Sequence, residues 1–216
     1  MIVVVGLPAW NPGPPPLPAG RACGIALAAA EAGARVELMG RIGDDPAGDA
    51  LLIALGRAGV GHAALLRDPA RPTLIRRLPE TEGDELLEAA LRNGYHPALD
   101  VDGGGPRLEP ADVELGLRYL SAFDVLVVDD NAPIDVIPAC VEAAAFAGAR
   151  LVVVVRSPDG APDGLPEDAT VLVAPEEDGE AFPRLVGRYA AALDAGSEPE
   201  AAFAAVAGDG WERPGA

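Results

Sequence analysis

Apolar positions along the chain alternate between two spacings, and the changes mark a series of strands and helices. Ile2 to Val5 is a short continuous apolar run ending at Gly6, which reads as a parallel strand buried on both faces. Arg21 to Ala32 has helical character, and Arg35 to Met39 returns to β character and stops at Gly40. Asp44-Asp45-Pro46 then opens a helix. Asp45, one residue before the proline, is placed to cap it, since a carboxylate accepts orphan amide protons and proline at the first helical position gives up nothing. Leu51, Leu52, Leu55 and Ala58 recur at helical spacing, and Gly59 is the natural left-handed stop.

The second half repeats the alternation. Val125 to Val128 reads as a strand, and a helix follows to Ala147 with Pro138 tolerated in its first turn. Leu151 to Val155 and Thr170 to Val173 are further strands, and Pro183 to Leu193 and Glu198 to Ala207 are closing helices. Strands separated by helices of this length imply an α/β fold, a parallel sheet covered on both faces. Two stretches break the rhythm. Trp10 to Pro16 is too rich in proline for regular structure. Between His62 and Asp100 the pattern weakens: Ala63 to Leu66 and Thr73 to Leu78 suggest a small antiparallel piece, and Glu85 to Leu91 a helix. Asp102 to Pro110 reads as a Gly/Pro-rich loop.

A chain of 216 residues with half its positions apolar fits a single domain, residues 1–216, with a large core. Aromatics make up only 4%, so Ala, Val and Leu must build that core. The net charge of −18 argues against nucleic acid as a partner. Arginine supplies all 16 positive charges and lysine none, which excludes a Walker-type lysine and Schiff-base chemistry. Cys23 and Cys140 lie in no metal-like spacing and read as small core residues of a reducing compartment. No apolar run reaches the length of a membrane span and no signal peptide is visible, so a cytoplasmic protein is expected.

Ala19-Gly20, Ala22, Ala26, Gly33 and Gly43 recur at the distances of a known N-terminal signature. Together with the Asp44-Asp45-Pro46 helix start, they make this chain resemble the PfkB/ribokinase family of sugar and nucleoside kinases. Gly24 sits where that family has Asn. The resemblance implies a ribokinase-like three-layer fold with a mostly parallel sheet and a small β lid, for which residues 62–100 are the candidate. It also implies a homodimer contact through that lid, a small polyol or nucleoside as ligand, and ATP with Mg2+ as cofactors. Substrate contacts carry over to Gly20, Gly24 and Asn11, the last standing where the family has a sugar-gripping Asp. Asn offers a hydroxyl both donor and acceptor but without the charge of a carboxylate.

The family's second signature is a Gly-rich loop entering a helix, followed by a catalytic Asp. One alignment puts Glu176-Glu177-Asp178-Gly179-Glu180 there, with Glu180 as the base; another, counted back from Gly196, puts Pro183 in that slot and leaves no base. Three readings follow: a homologue impaired in phosphotransfer that retains small-molecule binding, an active kinase using Glu180, or a structural or partner-binding protein. Asp129-Asp130-Asn131, at a strand end, reads as a solvated turn, with a metal site as the alternative. His62 and His96 are isolated. Loops 6–11, 40–45, 129–131 and 156–159 follow strand ends, where open α/β sheets bind ligands.

Overall fold

Four consecutive buried residues in each of two strands set the centre of the molecule. The computed structural model of the chain describes residues 1–76, 105–120, 122–175 and 181–208. Its elements run β1 (Ile2–Val5), β2 (Ala9–Asn11), β3 (Leu17–Ala19), α1 (Arg21–Glu31), β4 (Val36–Gly43), α2 (Pro46–Arg57), β5 (Val60–Gly61), β6 (Leu65–Asp68) and β7 (Leu74–Ile75). They continue with α3 (Pro110–Tyr119), β8 (Val125–Val128), α4 (Ile137–Ala147), β9 (Arg150–Val155), β10 (Thr170–Val173), α5 (Ala181–Asp194) and α6 (Pro199–Ala207). The main sheet has the order β10-β9-β8-β1-β4-β5, with β6 also paired to β4, and every pairing in it is parallel.

Because side chains alternate across a strand, β1, β8 and β9 serve two cores at once. Ile2, Val4, Val125, Val127, Val152 and Val154 pack with α1, α2, α5 and α6 on one face. Val3, Val5, Leu126, Val128, Val153 and Val155 pack with α3 and α4 on the other. That is the three-layer α/β arrangement expected from the uninterrupted apolar runs. Small residues let α1 and α5 meet closely. A Cβ on Gly24 would stand 2.8 Å from the Pro183 side chain, and one on Gly187 would stand 2.5 Å from the Ile25 carbonyl oxygen.

Three expectations are corrected. β4 does not stop at Gly40 but runs to Gly43, because Gly40 passes tightly beneath the Gly6 carbonyl and β6 pairs with Gly40 to Gly43. The proline-rich stretch is irregular only from Pro12 to Pro16: Trp10 and Asn11 belong to β2, which pairs antiparallel with β3 in a hairpin that holds a cis Pro14–Pro15 bond. Proline is tolerated there because β3 is the edge of its sheet, ordered β3-β2-β7. Finally, Ala63 to Leu66 and Thr73 to Leu78 do not make an antiparallel piece. β6 joins the main sheet and β7 runs parallel to β2 in the small one. The helix read at Glu85 to Leu91, residues 77–100 of the candidate lid, His96 and the first three residues of the Asp102 to Pro110 loop lie outside the described residues.

Candidate functional site

The strand ends named from sequence do converge. A Cβ placed on Gly6, at the end of β1, would stand 2.7 Å from that of Ala22 on α1 and 3.0 Å from that of Asp129 after β8. Only glycine lets the three elements close at this point. Asp129 is 1% exposed, Arg21 opens α1 beside it, and the two form an ion pair of 3.6 Å. Arg21 also pairs with Asp130, and its guanidinium lies 5.8 Å from the ring centre of Phe182 in the first turn of α5. From the end of β9, Arg156 donates through Nε to Asp130 at 2.7 Å and through a terminal nitrogen to Asn131 Oδ1 at 2.9 Å. Asn131 in turn donates to Asp129 Oδ2 at 3.1 Å.

The electrostatics separate the two carboxyls. Burial, reinforced by the charge of Asp130, pushes Asp129 up to about 8, so it holds its proton near neutral pH. Asp130 moves the other way: burial opposes its charge, but the proton on Asp129 and the guanidiniums of Arg21 and Arg156 outweigh it. The doublet is therefore no solvated turn. A buried carboxylate needs a counter-charge, and two arginines supply it. Among the described residues, no three acidic, cysteine or histidine side chains stand together as a metal-binding group.

A second knot lies at the start of α2. Asp45 caps the helix by accepting from the Gly48 amide at 2.8 Å, as its position before Pro46 suggested. The same carboxylate accepts from the Thr73 amide at 2.8 Å and the Thr73 hydroxyl at 2.7 Å, while that hydroxyl accepts from the Gly43 amide. Nearby, Arg41 holds Asp112 at the start of α3. Residues 71–73 thus lie directly over Gly43, on the chain segment that leads into β7.

The residues assigned from sequence fare unequally. Asn11 is buried on β2, where its Oδ1 accepts the Gly13 amide at 3.0 Å and shapes the hairpin turn. Gly20 has φ of +89°, precedes α1, and lies close to the Leu7 carbonyl, a backbone position that excludes side chains. Gly24, in the first turn of α1, faces the Pro183 side chain of α5. Glu180 lies outside the described residues. Sequence reasoning missed Arg21 and Arg156. The available signal was an Asp-Asp doublet directly after four buried valine and leucine residues, a place that demands a cation.

The parallel sheet, its two helical layers and the charged cluster where its strands end define the class: an α/β fold of the sugar-kinase type. The pfkB family carbohydrate kinase model matches residues 17–201, and the chain belongs to that family. Its fold is similar to a putative Ribokinase II from E. coli at a TM-score of 0.65 and 13% identity, covering 94% of this chain and 89% of that one. The structure described as Sa239 is similar at 0.63 and 14% identity, with the same two coverages. A fructokinase from Xylella fastidiosa with bound ATP gives 0.53 at 17% identity, and the chain spans 55% of its length. No curated protein matches the sequence.

Proposed function

We propose that this chain is a sugar-kinase homologue that binds a small polyol or nucleoside where the strands of its sheet end and is impaired in phosphotransfer. The observation that carries the second half is the first turn of α5. It holds no acidic residue among those described; Phe182 packs on Arg21 and Pro183 on Gly24, so this turn is spent on helix packing. Pro183 can supply no base, which leaves Glu180 as the one candidate from sequence.

The family makes ATP and Mg2+ the expected cofactors, and the E. coli putative Ribokinase II has a structure in complex with both. The Asp129–Asp130 pair does not suit Mg2+, because Arg21 and Arg156 already neutralise it. No catalytic step is derived through these groups. A homodimer through the lid of residues 62–100 and a cytoplasmic location remain part of this reading; among the described residues no helix is long and apolar enough to cross a membrane.

Calorimetric titration with ATP and Mg2+, alongside turnover assays on a panel of sugars and nucleosides, tests the proposal. Millimolar or absent ATP binding with no turnover supports it. Micromolar ATP binding with turnover on any of them overturns it in favour of an active kinase, and loss of that turnover in Glu180→Gln would then assign the base.

A further inference from the structure

Among the described residues, eight large apolar side chains stand open to solvent, and their distribution is uneven. Ile53 lies on α2 and Ile75 on β7, while the other six share one face of the molecule. Leu115 and Tyr119 are on α3, Ile134 precedes α4, and Phe146 lies in the last turn of α4. Val171 and Val173 on β10 stand in register with Val153 and Val155 of β9, and so point to the side that α3 and α4 cover. The two aromatics are almost wholly exposed, Tyr119 at 83% and Phe146 at 94%. They also stand at the same end of their layer: α3 and α4 pack side by side, and each leads into one of two adjacent strands, β8 and β9. Apolar surface left in water is costly, and a face that gathers most of it marks an interaction surface.

We propose that this face, the outer side of α3 and α4 with β10 at its margin, docks a second copy of the same chain. It is separate from the lid contact expected within residues 62–100. Two features favour a second copy over a different protein. The first is charge. Two chains of net charge −18 repel each other unless they meet where charge is balanced. The exposed side of α3 offers that balance, with Glu114 beside Leu115 and Arg118 beside Tyr119, and α4 adds only Glu142. A basic partner drawn by the acidity of the whole chain is not favoured where the helices offer almost no net charge. The second feature is order along the helix. Glu114 and Arg118 stand four residues apart, as do Leu115 and Tyr119, so each pair projects from one side of α3. A two-fold contact brings residue i of one copy to j of the other, and j to i. An antiparallel crossing of α3 with its own copy therefore sets Glu114 against Arg118 twice and Leu115 against Tyr119 twice. The pattern is self-complementary.

The test is sedimentation velocity on the full chain over a concentration series. Wild type should associate reversibly, to a dimer through this face alone or to a tetramer where the lid contact also forms. Tyr119→Ser combined with Phe146→Ser should weaken the step made by this face about tenfold or more. Arg118→Glu should weaken it as well by setting acid against acid, and Glu114→Arg added to Arg118→Glu should restore it. Ile53→Ser, on the opposite helical layer, should leave association unchanged. All these side chains are exposed, and unchanged denaturant midpoints show that each variant is folded. Should the aromatic pair fail to fold, the charge exchange decides alone. Association that survives either Tyr119→Ser/Phe146→Ser or Arg118→Glu, a charge exchange that restores nothing, or an equal loss in Ile53→Ser overturns the proposal and leaves the lid contact untouched. A wild-type chain that stays monomeric at every concentration overturns both dimer readings.

Discussion

Asp45 and Thr73 stand 28 residues apart in the chain and are joined by two hydrogen bonds, one to the Thr73 amide and one to its hydroxyl. A residue identified as a helix cap is thus also the tether for the segment that enters the small sheet. Helix capping by itself is worth about 1 kcal/mol, up to roughly 2. Hydrogen bonds to a charged acceptor add about 1.5–3 kcal/mol where they are sheltered.

Asp45→Ala is therefore expected to cost about 2–4 kcal/mol in a denaturant titration, beyond a simple cap loss. A double-mutant cycle with Thr73→Ala should show a coupling of about 1–2 kcal/mol. Additive effects would mean that the two residues stabilise the fold independently. Ligand affinity should be unchanged in Asp45→Ala; a mutant of native stability with lost binding would place Asp45 in the site.

The pH dependence of stability should have two limbs of opposite sign. Although partial burial opposes its charge, the Gly48 and Thr73 hydrogen bonds hold Asp45 below its usual value. That stabilisation is present above the ordinary carboxylate range, about pH 4, and is lost as pH falls through the lowered value. Asp129 acts in reverse. Its proton is retained in the fold up to about pH 8 but released in the unfolded chain from about pH 4, so its contribution declines as pH rises between the two. Asp129→Asn cannot ionise and should gain stability relative to wild type from pH 5 to pH 8, read as urea midpoints. A constant difference across that range would refute the buried proton.

Gly24→Ala should destabilise by about 1–3 kcal/mol through overpacking against Pro183, with ligand affinity unaffected. Gly187→Ala should cost more, because its added carbon meets the Ile25 carbonyl, which belongs to a helix and cannot move aside as a side chain can. Thermal midpoints of both variants check the order. If Gly24→Ala instead kept its stability and lost ligand binding, Gly24 would be a substrate contact.

Cys23 and Cys140 should be inert in the native state. Burial pushes both thiols up to about 12, so the thiolate that reacts is essentially absent at neutral pH. Labelling with a thiol reagent should proceed only as fast as the protein unfolds, and rapid modification of either would contradict the packing around it.

Local patterns were sufficient for most of the architecture. Uninterrupted apolar tetrads at Ile2–Val5 and Val125–Val128 can be satisfied only by burial on both faces, and that requirement alone calls for a parallel sheet between helical layers. Asp45, Pro46 and Gly59 bracket α2 because capping and left-handed termination depend on neighbouring backbone. The proline-rich hairpin and the destination of β6 and β7 were not legible, since strand pairing is decided by partners distant in sequence: β6 on β4, β7 on β2. The same holds for the site. The apolar run before Asp129 calls for a cation, but nothing local says which residues supply it. Arg21 reaches Asp129 from 108 positions away and Arg156 reaches its neighbour Asp130 from beyond β9, and their counter-charges turn an ordinary acidic turn into a buried, proton-holding cluster.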